Sequence, residues 1–159
     1  MFGNPVYAET INNALQEAEF PLFPANLYQP LRYILSLSGK RIRPQLVFLG
    51  ADIFGHTAME DVLPASKAIE YFHNFSLIHD DIMDKAPLRR GKPTVHQRWN
   101  DNVAILSGDV LLVKAYEELA NCPVTAVPTL LKVFNKVAVE VCEGQQLDMD
   151  FEKRNDVTE

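Results

Sequence analysis

The chain has no long hydrophobic run. Its longest purely aliphatic stretch is Val110-Leu111-Leu112-Val113, far short of the roughly 20 residues that span a bilayer. Only two cysteines occur, Cys122 and Cys142, which give neither a disulfide framework nor a metal spacing. There is no GxSxG, no P-loop and no GxGxxG after a strand, so those nucleophile and nucleotide chemistries are excluded. Residues Met1 to Glu19 lack a basic segment followed by an apolar one, so secretion is not indicated and a cytoplasmic location is expected. Strict apolar alternation and Asn-Gly dipeptides are missing as well, which argues against strands and hairpins. What is present, 47% hydrophobic and 23% charged residues in 159, fills one core and does not read as disorder. A single domain over 1–159 is expected.

The net charge of -6 is unevenly spread. Between Glu140 and Glu159 stand Glu140, Glu143, Asp148, Asp150, Glu152, Asp156 and Glu159 against Lys153 and Arg154, so the remainder is almost neutral. Two short stretches are purely basic, Lys40 to Arg43 and Lys85 to Lys92 with Arg89 and Arg90 inside it. With a pI near 5.2 they suit a small anion better than a nucleic acid.

The ten prolines fall mostly between long uninterrupted segments, and proline ends helices by removing a donor and crowding the preceding turn. Leu130, Phe134, Val137, Val141, Gln145 and Asp148 step by four or three along one helical face, and Val62, Ala65, Ile69, Phe72 and Phe75 make another. The expected fold is all-α, an antiparallel helical bundle of about six or seven helices. After Glu152 the chain is polar to its end, with Thr158-Glu159 able to begin another cap. A bundle normally closes on itself, so a truncated chain is expected.

Asp80-Asp81-Ile82-Met83-Asp84 carries the densest chemistry. On a helix Asp80 and Asp84 lie only about 40° apart, one turn above the other. Such carboxylates repel, and a hard divalent cation reverses the sign: Mg²⁺ takes one or two carboxylates and completes its shell with water and phosphate oxygens. A solvated acidic helix end is the plain alternative. The same face runs back through Leu77, His73 and Ile69, an apolar stripe that ends in acids, as a helix lining a cavity would. His73 on that stripe is either a ligand-binding group or a satisfied core histidine. The helix from Leu130 to Asp150 also turns polar, at Gln145 and Asp148, which points to a shared pocket or to ordinary amphipathic fraying.

In Gly39-Lys40-Arg41-Ile42-Arg43-Pro44 the glycine is expected to end one helix in the left-handed conformation. Lys40 and Arg43 then sit on the first turn of the next, where unpaired N–H groups add to their charge and favour an anion; a solvated basic turn is the alternative. Leu88-Arg89-Arg90-Gly91-Lys92-Pro93 reads as a loop whose arginine forks suit diphosphate oxygens.

Taken together, GKRIRP, HNFSLIHDDIMD, LRRGKPTVH, AILSGDVLL and GQQLDMD occur in an order and spacing that resembles the trans-isoprenyl diphosphate synthases, or polyprenyl synthetases, from about Leu31 to Glu159. The resemblance implies the isoprenoid synthase fold, all-α helices around a central cavity, in a homodimer. It implies a Mg²⁺-dependent prenyltransferase of isoprenoid biosynthesis. An allylic diphosphate ionises, isopentenyl diphosphate attacks the carbocation, and a proton is lost. By matching position, Asp80 and Asp84 would be metal ligands with Asp81 in support. Lys40, Arg43, His73 and Arg90 would hold isopentenyl diphosphate, and Arg89 the allylic diphosphate. His96, Gly108 and Asp109 also match and are assigned to structure.

Residues just before the aspartate motif form the pocket floor in such enzymes, which singles out Phe75 and Ser76; Gln145 and Asp148 would line the far wall. Phe75 implies a short product, farnesyl or geranylgeranyl, and Ser76 leaves room for the longer. Phe75 itself lies about 140° from Asp80 around the helix and would act through a neighbouring helix or across a dimer. The family's second aspartate-rich motif is not in this sequence, so an N-terminal portion with little or no activity of its own is expected. Two rivals stand beside this reading: a non-catalytic regulatory subunit of a synthase, and a fragment of a class I terpene cyclase, which needs no second diphosphate site.

Overall fold

A computed structural model describes residues 4–56 and 58–152. They form seven helices: α1 (Pro5–Gln16), α2 (Ala25–Ser36), α3 (Ile42–Ile53), α4 (Met59–Met83), α5 (Val95–Arg98), α6 (Asp101–Ala120) and α7 (Val127–Phe151). The expectation of an all-α chain holds. The Thr158-Glu159 cap lies outside the described residues.

Local chemistry sets several boundaries. Asn4 caps α1 by accepting from the Val6 N–H, and Asn100 caps α6 by accepting from the Val103 N–H, each filling one of the unpaired first-turn donors. Proline is a poorer boundary than expected, because Pro30 and Pro64 lie inside α2 and α4. Pro30 stands at the middle of α2 and Pro64 in the second turn of α4; each removes one intrahelical donor, and burial of Pro30 with Leu31, Ile34 and Leu35 keeps α2 intact across it.

The chain divides into two compact units, one through Cys122 and one from Pro123 onward. In the first, α4 is the hub and packs on α1, α3, α5 and, most extensively, α6, while α2 packs on α1 and α6. Ile11, Leu31, Ile34, Ile78, Val95, Ala104 and Leu111 are almost wholly buried there. The innermost face of α4 is unusual in being polar: Ser66, Glu70, Asn74 and Asp81 are buried along with Ile78. The expected stripe Ile69, His73 and Leu77 flanks it and is only half-buried. Gly108 of α6 leaves room for the His79 ring of α4, since a Cβ there would sit 2.5 Å from His79 Nε2 and displace it. The second unit consists of α7 and the turn before it. Of the stripe expected on α7 only Phe134 is buried, and Val137 and Val141 are exposed.

One expectation is corrected outright. The segment Leu88–Pro93 is a two-stranded antiparallel hairpin, β1 (Leu88–Arg89) and β2 (Lys92–Pro93), not an irregular loop. Arg90 (φ 54°) and Gly91 (φ 74°) both take positive φ, the signature of a type I′ turn. Arg-Gly is not a standard dipeptide for this turn, which is why the pattern gave no warning. Tertiary bonds hold it: the Tyr33 hydroxyl donates to the Pro93 carbonyl at 2.6 Å, and Thr94 Oγ1 donates to Ala86 O at 2.8 Å.

Candidate active site

The acids sit at the C-terminal end of α4. Asp84 is its C-cap, and Lys85 beyond it is left-handed (φ 52°). The Ala86 N–H bonds Asp81 O at 2.9 Å and the Lys85 N–H bonds Ile82 O at 3.1 Å, the paired closure of a Schellman motif. Usually glycine takes that left-handed position, so Lys85 carries a cost of about 1 kcal/mol. The closure ties the chain leaving Asp84 back onto the last turn.

The three aspartates are not equivalent. Asp80 is half-buried and Asp84 exposed, one turn apart as expected. Asp81 is 1% exposed and is bound by Arg89, whose Nε lies 2.9 Å from each carboxylate oxygen. The Arg89 Nη2 lies 2.8 Å from Asp81 Oδ1 and 3.3 Å from Asp80 Oδ2. Hydrogen bonding to Asp81, with the carboxylates of Asp81, Asp80 and Asp84 nearby, holds the guanidinium pKa above its ordinary value despite partial burial. Arg89 is therefore a fixed cation beside the acids. The hard oxygens of Asp80 and Asp84 fit a divalent cation that keeps waters and substrate oxygens in its shell. Among the described residues no group of three or more His, Cys, Asp or Glu side chains comes together as a fuller cage.

The basic residues gather elsewhere in the same unit. Arg43 Nη1 lies 3.4 Å from His73 Nε2, a long contact in which arginine can only donate, so the ring nitrogen accepts and the ring is neutral. Burial, followed by the charge of Arg43, pushes the His73 pKa down to about 4 from 6.5. Arg90 donates to Ser38 O at 2.9 Å and Leu37 O at 3.3 Å, which draws the hairpin onto the turn after α2. Gly39 does not have positive φ, and α2 has already ended at Ser36. Its smallness serves a different purpose, since a Cβ there would meet the Arg90 guanidinium at 2.6 Å. Lys40 precedes α3 rather than standing on its first turn, and its carbonyl accepts from Gln45 Nε2 at 2.7 Å. Beside Arg90 a groove of about 520 Å³ runs between the end of α2 and the hairpin, with Lys92 and Arg98 along it.

Phe75 is half-buried, tilted on Phe72 at 5.7 Å and edge-on to His79 at 4.7 Å. Ser76 Oγ bonds His73 O at 2.9 Å. Gln145 and Asp148 stand on α7 in the second unit, Gln145 half-buried and Asp148 exposed. Sequence reasoning missed Arg41 and Glu70, a buried ion pair. The one available signal was an acid one turn before Asn74, flanked directly by Ala68-Ile69 and Tyr71-Phe72.

A testable consequence follows from His73. Between pH 6.5 and about 4 the unfolded chain binds a proton that the folded one refuses, so stability is full above that window and falls as pH drops through it. The melting temperature of the unaltered chain should therefore drop more steeply across the window than that of a His73→Gln variant. Parallel curves would show that His73 is not held neutral.

The family model for polyprenyl synthetases matches residues 24–159. This chain is a polyprenyl synthetase family member. It is 48% identical over 138 residues to a geranylgeranyl diphosphate synthase of Methanosarcina mazei, covering 86% of this chain and 42% of that protein. A short chain isoprenyl diphosphate synthase of Methanothermobacter thermautotrophicus is 42% identical over 154 residues, 96% of this chain and 47% of the relative. Among solved structures, a geranylgeranyl pyrophosphate synthetase from the archaeon Geoglobus acetivorans superposes with a TM-score of 0.89 at 38% identity, over 98% of this chain and 51% of that one. The chain thus spans about half the length of the polyprenyl synthetases it matches. No helix among the described residues is long and apolar enough to cross a membrane.

Proposed function

We propose that this chain supplies the diphosphate-binding side of a trans-prenyltransferase that joins an allylic diphosphate to isopentenyl diphosphate. One observation carries the reading: α4 bears both His73, beside Arg43, and Asp80, beside Arg89. Seven residues at 1.5 Å each separate the two along the helix by about 10 Å. Two anion sites, one purely basic and one mixed with acids, suit a reaction between two diphosphates. A single-diphosphate cyclase has no use for the first.

In this reading Lys40, Arg43, His73 and Arg90 hold isopentenyl diphosphate, with neutral His73 offering a hydrogen bond and no added charge. Asp80 and Asp84 would hold Mg²⁺, which would supply positive charge against the charge that builds on the allylic diphosphate as its C–O bond breaks. Arg89, oriented by Asp81, faces that same charge, and an oriented cation costs no reorganisation when the charge appears. Attack by the isopentenyl double bond and loss of one proton complete the condensation. The names of the relatives in Methanosarcina and Geoglobus support a geranylgeranyl product, with Phe75 and Ser76 at the pocket floor. Exposed Ile105 and Leu106 on α6 support a homodimer.

Calorimetric titration tests this. Allylic diphosphate should bind only with Mg²⁺, and Asp80→Ala should abolish that binding while metal-free binding of isopentenyl diphosphate survives. Allylic binding that is indifferent to both metal and Asp80 would overturn the proposal.

A further inference from the structure

Arg41 lies between the two cations assigned to isopentenyl diphosphate, yet it points the other way. Lys40, Ile42 and Arg43 are exposed, whereas Arg41 is 6% exposed. Its backbone is left-handed (φ 47°), an uncommon state for a long side chain. That conformation turns the chain at the start of α3 and sends one basic side chain inward while its neighbours face outward.

Inside, the Arg41 guanidinium is shared among three acceptors. One nitrogen pairs with Glu70 Oε1 on α4, and the other donates to Leu35 O at 2.8 Å and Leu37 O at 2.9 Å. Asn74 Nδ2 fixes the acid in turn, donating to Glu70 Oε1 at 3.1 Å and Glu70 O at 2.7 Å. The Leu37 carbonyl also accepts from Arg90. A single carbonyl therefore joins the buried arginine to the hairpin arginine, across the turn that carries Gly39 and Lys40.

Stability alone does not account for this network. A buried ion pair is commonly no better than well-packed apolar residues of similar volume. Two of the network's own buried atoms, Arg41 Nε and Asn74 Oδ1, have no hydrogen-bond partner, an exception that calls for a reason. What the network does achieve is geometric: it holds the turn from Leu37 to Arg41 against α4, the helix that carries His73.

We propose that Arg41, Glu70 and Asn74 act as positioning residues that set the turn bearing Lys40 and the seat of Arg90, and so determine the affinity of the basic site for a diphosphate. The proposal rests on the functional reading above. None of the three touches the ligand; they act through Lys40, Arg43 and Arg90.

The test is metal-free calorimetric titration of this chain with inorganic pyrophosphate. Three variants run beside it: Lys40→Ala, Arg41→Lys, and the double variant Arg41→Met/Glu70→Gln, which removes both charges so that neither is stranded. Arg41→Lys keeps a charge for Glu70 but loses the fork that reaches Leu35 and Leu37. The unaltered chain should bind, and Lys40→Ala should lose that binding. Arg41→Lys and the double variant should each weaken it by at least about tenfold, the scale of loss seen when a supporting partner is removed. A merely structural role would lower the fraction of folded chain, and hence the stoichiometry, but leave the Kd of folded molecules unchanged. Unchanged Kd in Arg41→Lys, with Lys40→Ala still defective, would overturn the positioning role alone. No binding by the unaltered chain would overturn both this role and the basic site itself.

Discussion

Replacing Asp81 with alanine should cost this chain about 3 kcal/mol of stability, a fall of about 10 °C in melting temperature for a chain of this length. Asp81 is 1% exposed and the Arg89 side chain 24%, so the pair is largely shielded from water. Removing the carboxylate leaves the guanidinium with only the longer contact to Asp80. The reverse change, Arg89→Ala, strands the buried carboxylate and should cost a similar amount. A double-mutant cycle between the two should return a coupling of about 2 kcal/mol, since neighbours in one bonded pair do not add. Two additive single changes of less than about 0.5 kcal/mol each would show that the pair contributes nothing. The middle aspartate is thus expected to act on the fold and on Arg89, while Asp80 and Asp84 act on a metal.

The run Val110-Leu111-Leu112-Val113 should split under mutation. Leu111 is fully buried within the first unit, and Leu111→Ala removes apolar atoms that the surrounding helices cannot fully replace. Urea unfolding should show a loss of about 3 kcal/mol. Val113, two residues on, is 57% exposed, and Val113→Ala should stay within about 0.5 kcal/mol of the unaltered chain. Equal losses at both positions would mean that Val113 is covered by something, and a dimer partner would then be sought there.

Helical periodicity, Asn caps and the spacing of Asp80 and Asp84 depend on contacts within a few residues, and the sequence by itself determined them. The order of five short motifs determined the family. Other features depended on residues far apart in the chain. The hairpin at Arg90-Gly91 is held by Tyr33, 60 residues away, and a non-standard turn dipeptide hid it. Arg41 and Arg43 look alike in GKRIRP, and only the left-handed backbone at Arg41 and the acid waiting at Glu70 decided which one is buried. Gly39 reads as a helix stop, but its role is room for Arg90, which lies 51 residues on. Asp81 and Asp80 are adjacent letters, and the tertiary structure decided that Asp81 is buried against the Arg89 fork while Asp80 keeps only the longer contact to it. Burial and pairing of a charge depend on what the rest of the chain brings next to it, and no local pattern encodes that.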